Sequence, residues 1–432
     1  MTGRIMIPIS FHSEEYGRCN GSVQSFFGSD VSPFTLQLRR LLPLCTSLLF
    51  FYMIANCCAA QTQSPLCSNG NNEFHAIFRT RVGVTVQSGK NEGLSERECE
   101  ATLHWETKKL VVAEHAAQID LDMFGVDLKT DGPVAAFQIR ETTDECCVSY
   151  QIYSLARPPR LLRTITGGSS FAASDRYLDG RIEIWTDDAA AVNGLDGLLA
   201  AEMEYPPTYV LRFEKGRLLD SSSEFRDYFD DIVKRIQNEI KSDFLDEFKL
   251  SDGRLRGDLS SDPSQLHRLR VVKIQILEIV WAYLYSGREQ EAWSTLTEMW
   301  PAGDVERIRL AVMKARADGM LAHIDGVLTD RADSRKKEAS IYNQSEVTPA
   351  QPIYLWRSPP AGLAGNISLD TEVVLDLVID SAGKVSSVKL VGGGGTADAG
   401  LISAAKDWKF IPGMRNGHSV ASRLRLITSV KR

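Results

Sequence analysis

The last sixty or so residues constrain the fold most. From Thr371 to Asp380 the chain reads TEVVLDLVID, with Val373, Leu375, Leu377 and Ile379 alternating with Glu372, Val374, Asp376 and Val378. Period two in β-branched residues predicts a strand with one face buried. Asp380, Ser381, Ala382, Gly383 and Lys384 supply turn chemistry, and Val385 to Val391 alternates again, so the two runs predict a β-hairpin. Gly392 to Gly395 stop the second strand. Thr396 and Asp398 are candidate caps for a helix over Ala397 to Trp408, where Leu401, Ala404, Ala405 and Trp408 share one face. Pro412 and Gly413 end that unit, Asn416 and Gly417 make a turn, and Ser419 to Val430 predicts one long final strand.

Hairpin, amphipathic helix, a Trp-x-Phe-x-Pro exit and a Gly-x-x-Val turn into one last strand resemble the C-terminal domain of the TonB family of periplasmic energy transducers. The matching residues are Val378, Ile379, Asp380, Gly383, Lys384 and Val385, then Leu401, Ala404, Ala405, Trp408, Phe410, Pro412, Gly417 and Val420. Where the family carries a Ser-Gly pair before the helix, this chain has its glycine run. About a seventh of the chain is covered. The resemblance implies that the last strand pairs with an extended segment of an outer-membrane receptor, an addition of a strand to a sheet edge. The pairing residues would be Ser419, Val420, Ala421, Ser422, Arg423, Leu424, Arg425 and Leu426. The alternative is a packed terminal domain whose edge is blunted by Arg423, Arg425, Lys431 and Arg432.

Length predicts two or three domains, and 43% hydrophobic composition suffices for packed cores. A net charge of −7 argues against nucleic acid as a partner. The charge is uneven: residues 366–432 carry nine lysines and arginines against six carboxylates, whereas residues 61–365 carry 36 against 47. A basic end hangs on an acidic body, which either steers it toward an acidic partner or is ordinary solvated surface.

Arg39 and Arg40 precede the apolar run Leu41 to Ala55, and Cys58, Ala59 and Ala60 offer a small-x-small cleavage site before Gln61. Cleavage predicts a periplasmic or secreted protein. Retention would leave residues 41–60 as an inner-membrane anchor, since twenty residues at about 1.5 Å each just span a bilayer. In that case motor proteins of the inner membrane would be further partners and energy transduction to outer-membrane transport the function. Four cysteines lie beyond this segment, Cys67, Cys99, Cys146 and Cys147, and export permits disulfides whose pairing the sequence leaves open.

Residues 61–220 hold short β-rich runs between polar turns. A weak repeat recurs 48 residues on: Asp127, Asp131, Gly132, Val134, Ala136 and Phe137 align with Asp175, Asp179, Gly180, Ile182, Ile184 and Trp185. The unit resembles degenerate propeller-blade repeats with a calcium-binding Asp loop, which makes Asp175 and Asp179 weak calcium candidates. Lys129 and Tyr177 occupy the middle ligand positions and supply no carboxylate. An Asp-Gly turn whose side chain holds its own backbone accounts for the same residues.

From Ser221 the period becomes 3.6. Ser221 and Glu224 have capping-box spacing, and Phe225, Phe229, Ile232, Ile236, Ile240 and Phe244 form a stripe predicting one helix. Further helices are expected over Pro263 to Ser286, Glu289 to Trp300 and Val305 to Ala317. The stretch from Trp281 to Trp300 is similar to one tetratricopeptide helix pair. An array needs about three, so a plain bundle with Trp281, Trp293 and Trp300 in its core is expected. Residues 331–365 are polar and then proline-bearing, and read as a linker. No nucleophile, base and orienter assemble: Ser403 and Lys406 have Ser-x-x-Lys spacing without companion motifs, and His104 and His115 place no two ligands on one face. The sequence therefore predicts a multidomain α+β protein without catalytic residues or cofactors. It has a β-rich part, a helical bundle over 221–330 and a small α+β end over 366–432, and the resemblance implies an outer-membrane receptor or other envelope protein as its partner.

Overall fold

The computed structural model describes residues 6–9, 67–68, 74–78, 80–88, 98–130, 132–142, 147–255, 262–324, 326–329, 339–354, 372–392 and 398–430. Helices and strands are both abundant, so the chain is mixed α+β. After two short strands, β1 (Met6–Ile9) and β2 (Cys67–Ser68), come three antiparallel meanders. The first is β3 (Phe74–Ile77), β4 (Gly83–Ser88), β5 (Cys99–Trp105) and β6 (Lys108–Ala116). The second is β7 (Gln118–Val126), β8 (Val134–Arg140), β9 (Val148–Ser154) and β10 (Arg160–Gly168), with β2 added beside β7. The third is β11 (Phe171–Ser174), β12 (Glu183–Asp187), β13 (Thr208–Glu214) and β14 (Arg217–Asp220). The two repeat turns hold equivalent places, joining β7 to β8 and β11 to β12; Asp131 lies outside the described residues.

The second meander is the middle layer. Successive strand residues point to opposite faces. On β8, Val134 and Ala136 enter a core shared with the third meander and the helices, while Ala135, Phe137 and Ile139 enter one shared with the first meander. A strand covered on both faces must be apolar at consecutive positions, as this one is. Cys67 and Cys99 form a disulfide that ties β2 to β5 and so the second sheet to the first. Cys147 is disulfide-bonded as well, which removes it as a free thiol for redox or metal chemistry; Cys146 lies outside the described residues.

Helices α1 (Ala189–Val192), α2 (Arg226–Glu239), α3 (Ser242–Lys249), α4 (Pro263–Tyr285), α5 (Glu289–Met299) and α6 (Val305–Ala317) pack on the third meander. The stripe from Phe225 to Phe244 does not run along one helix. Ile240 and Lys241 are extended, with ψ of 118° and 131°, and divide α2 from α3. That bend brings Phe248 edge-on to Trp300, with ring centroids 5.1 Å apart. The expected capping box is also absent. Ser221 Oγ donates to the Val210 carbonyl at 3.0 Å, and Glu224 accepts from Arg212 at 2.9 Å. Arg212 is 3% exposed, and a buried guanidinium needs counter-charge more than a helix start needs a cap. Trp281 and Trp300 are buried, whereas Trp293 is half-buried. After the helices β15 (Val327–Thr329) returns parallel to β14.

The chain ends in a compact unit of β16 (Gln351–Tyr354), β17 (Glu372–Ile379), β18 (Val385–Gly392), α7 (Asp398–Lys406), β19 (Lys409–Ile411), β20 (Gly413–Arg415), β21 (His418–Val420) and β22 (Ser422–Val430). Its main sheet has the order β1, β22, β17, β18. Leu375, Leu377 and Ile379 of β17 and Leu424 and Leu426 of β22 meet Ala405, Trp408 and Phe410 in one core. Part of the stretch expected as linker belongs to this unit: β16 pairs with β19, Thr348 with Met414, and Tyr342 with the start of β22. Ala350, 1% exposed in the terminal core, anchors it. Residues 10–66 and 355–371 lie outside the described residues, the expected cleavage site and anchor among them.

Candidate functional site

The turn Asp380–Lys384 is the pivot of the terminal unit. Asp380 Oδ1 accepts the amides of Ala382 at 2.9 Å and Lys384 at 2.8 Å. Gly383 has φ of 82°, and a Cβ there would stand 2.0 Å from the Phe410 carbonyl oxygen. Only glycine meets both conditions without strain. The Phe410 amide closes the contact by donating to the Gly383 carbonyl at 2.8 Å. Asp380, Gly383, Phe410 and the neighbouring Pro412 are thus one local cluster, with Trp408 4% exposed in the core beneath. Gly417, at φ 85°, and Asn416, at φ 52°, form the tight turn between β20 and β21.

The same turn docks the unit onto the meanders. Lys384 Nζ donates to the Asp122 carbonyl at 2.7 Å and to the Asp122 carboxylate. Lys409 Nζ donates to Asp120 Oδ2 and to the Leu121 carbonyl, both at 2.8 Å. Asp122 also accepts from the Tyr150 hydroxyl at 2.6 Å and the Ala173 amide at 2.8 Å. Ser381 Oγ donates to Asp175 Oδ2 at 2.7 Å, and the Asp175 amide donates to Asp380 Oδ2 at 2.9 Å. Farther along, His418 Nδ1 lies 2.7 Å from Asp127 Oδ2, and the Asp127 amide donates to Ser419 Oγ at 3.2 Å. The acidic body thus receives the basic end through specific pairs, of which Lys409 with Asp120 is buried on both sides, rather than through a diffuse field.

Burial sets the protonation of this interface. It pushes the Asp122 carboxyl up, but the Lys384 and Lys409 charges and the hydrogen bonds from Lys384 and Tyr150 outweigh it and hold that carboxyl below its usual range. Burial lowers the Lys409 ammonium against the pull of Asp120. Asp175 is raised by burial, and Asp380 is pushed up to about 7, again chiefly by burial, with its amide donors pulling the other way and the Asp175 charge adding to the rise.

The calcium candidates close on their own backbone. Asp175 accepts the amides of Asp179 and Gly180, each at 2.9 Å, and Asp179 accepts that of Arg181 at 2.9 Å. Among the described residues no three His, Cys, Asp or Glu side chains group to hold a metal ion.

The residues expected to pair with a partner do not form one strand. Ser419 and Val420 belong to β21, where Ser419 faces the body; Ala421 separates them from Ser422, Arg423, Leu424, Arg425 and Leu426 on β22. A buried turn contact at Ser419 competes with straight extension of the strand. One edge of β22 is paired with β17 along its length. On the other, the Tyr342 amide donates to the Ala421 carbonyl at 3.0 Å and the Arg423 amide to the Tyr342 carbonyl at 2.9 Å. Backbone groups alternate in direction along a strand, so the amides of Arg425 and Ile427 face this same outer edge. β1 lies parallel along it from Ile427 to Val430. Among the described residues no strand pairs there between Arg423 and Ile427. Arg425 lies across from Asp376 and bonds it at 2.7 and 2.9 Å.

Sequence reasoning missed Asp120, Asp122, Tyr150, Lys409 and His418. A signal existed for some of them: Asp120 and Asp122 interrupt an otherwise apolar IDLDMF, and Lys409 stands between Trp408 and Phe410. Ionisable residues inside apolar runs point to buried pairing. Among the described residues no helix is long and apolar enough to cross a membrane. Compared with known proteins, the chain matches no family model, no curated protein and no solved structure.

Proposed function

We propose that this is a non-enzymatic protein of the cell envelope that binds a partner by adding an extended segment of it, in parallel, to the outer edge of β22. The observation that carries this reading is the edge itself. It accepts strand contacts in parallel register at both ends, at Ser422 and at Ile427 to Val430, and carries outward backbone groups between them. The resemblance of the terminal residues to TonB-type transducers supplies the class of partner, an outer-membrane receptor or another envelope protein. The Cys67–Cys99 disulfide suits an oxidising compartment such as the periplasm.

A second reading has its own support. The terminal unit is held to the body by ion pairs at Lys384 and at the buried Lys409, which favours a scaffold that binds without a motor over an arm that reaches across the periplasm. One experiment addresses both. A photo-crosslinking amino acid at Arg425 of the full chain, expressed in its own cells, is expected to capture an outer-membrane or periplasmic protein. Ile427→Pro, which removes an outward amide while sparing the β17 ladder, is expected to abolish the capture. A folded protein that captures nothing, or captures equally with the proline, overturns strand addition. Capture that changes when the proton-motive force is dissipated favours transduction, and capture that does not favours the scaffold.

A further inference from the structure

A cavity of about 440 Å³ opens where the start of α5, the end of α6 and the 3-10 turn Met320–His323 meet beside β13. The two helices each bring a charge to it. Glu289 is the first residue of α5 and Arg316 stands in the last turn of α6, so each sign suits its own helix end. The fold turns both into the same cavity, whose wall is otherwise largely apolar and includes Trp293, Met313 and Leu321.

Trp293 lines this cavity because Ala292 and Leu296 take the core side of α5 and leave it half-buried. Its Nε1 donates to Glu289 Oε1 at 3.1 Å, and the Arg309 guanidinium stands 5.2 Å from its ring centroid. A ring held at its edge and on one face is a pre-organised wall. Met313, on the same wall, is 47% exposed and gains from apolar surface brought against it. Glu289 and Arg316 are not joined: among the described residues no ion pair links them. The Arg316 guanidinium stands 5.6 Å from the Tyr285 ring centroid, and its charge pulls the Tyr209 hydroxyl down while burial and the Asp188 charge push that hydroxyl up. Both neighbours are neutral phenols that leave the guanidinium its charge. Asp188 itself is fully buried and accepts from the Tyr285 hydroxyl at 2.6 Å.

Opposite charges that face one apolar cavity without pairing fit a ligand that carries the complementary pair and an apolar body. We infer that this cavity binds a free α-amino acid with an apolar side chain, its carboxylate at Arg316, its ammonium at Glu289 and its side chain against Trp293 and Met313. A guanidinium offers a carboxylate two parallel donors, and Glu289 accepts an ammonium, so both ends are met by charge-assisted hydrogen bonds. The volume lies within the range of small-ligand pockets, about 300–1,000 Å³. The inference is independent of strand addition at β22, which lies in the terminal unit and away from α5 and α6.

The test is calorimetric titration of the full chain with L-phenylalanine, N-acetyl-L-phenylalanine, which lacks the ammonium, and L-phenylalaninamide, which lacks the carboxylate. L-Phenylalanine is expected to bind saturably with a dissociation constant at or below about 1 mM, the weak end of small-ligand recognition. Each blocked probe should bind about tenfold more weakly, the scale of one charge-assisted hydrogen bond. Glu289→Gln, at an exposed side chain that keeps its acceptor for Trp293, is expected to weaken L-phenylalanine about tenfold and leave the N-acetyl probe unchanged. Arg316→Gln should weaken L-phenylalanine likewise and leave the amide unchanged. Should Arg316→Gln fail to fold, Glu289→Gln decides alone, because its split between the two probes is not produced by general destabilisation. Heat that fails to saturate, a blocked probe that binds as tightly as L-phenylalanine, or a Glu289→Gln protein with the wild-type ratio of the two affinities would each overturn the proposal.

Discussion

Asp380 shows how one side chain can serve two structural levels. One carboxylate oxygen folds its own turn by accepting from Ala382 and Lys384, and the other accepts the Asp175 amide from the body. Burial and the Asp175 charge raise its carboxyl to about 7 while Lys384 pulls it down. An unfolded chain would lose that proton near pH 4. Between those values the folded state holds a proton that the unfolded state has released, so this group's contribution is complete below about pH 4 and is lost as pH rises to about 7. Relative to Asp380→Asn, which does not titrate, the wild type is therefore expected to lose stability in urea unfolding between pH 5 and pH 8. A difference that is constant with pH would show that Asp380 stays ionised in the fold. Glu183 makes a contrasting case. Burial takes it to about 8, with the Asp175 charge adding to the rise, although Arg212 lies 3.3 Å away and pulls it down.

Among elements, the hairpin of β17 and β18 owes its shape to Gly383 rather than to its strands. The strands follow from alternation, which any sequence with Leu375, Leu377 and Ile379 on one side would satisfy. The turn must also approach β19 closely enough for the Phe410 amide to reach the Gly383 carbonyl. Gly383→Ala adds a Cβ against a backbone oxygen at a left-handed φ, and neither can move without breaking that bond. A loss of roughly 1–3 kcal/mol or more is expected in thermal or urea unfolding. Gly417→Ala, whose φ is similar but whose Cβ meets nothing within 4 Å, serves as the comparison and should cost less. Equal losses would assign the whole effect to backbone conformation.

At the level of the whole molecule, the docked end is the main departure from a string of independent domains. Lys409 is 5% exposed and Asp120 6%, so each neutralises a charge the other has buried. Removing one partner leaves the other without compensation, which costs about 3–5 kcal/mol, whereas removing both costs far less. Lys409→Met is expected to destabilise the chain by that amount and to enlarge it in small-angle scattering as the terminal unit swings free. Adding Asp120→Asn should recover most of the stability. A compact, fully stable Lys409→Met protein would mean that the apolar contacts, such as Ile411 in the second core, hold the unit alone.

Periodicity in the sequence was enough for the elements. Alternation marked β17 and β18, the 3.6 period marked α4 and α6, and the recurring Asp-Gly pairs marked equivalent turns in successive meanders, because each depends only on residues near in the chain. The break between α2 and α3, the partnering of Glu224 with Arg212, the stacking of three sheets and the clasp of Lys384 and Lys409 by Asp122 and Asp120 were decided by tertiary structure alone. In each of these a local preference yields to the need of a buried charge or apolar face for a partner far along the chain, at separations such as 262 and 289 residues. Local pattern determines which face of a segment is buried; only the assembled fold determines what it is buried against.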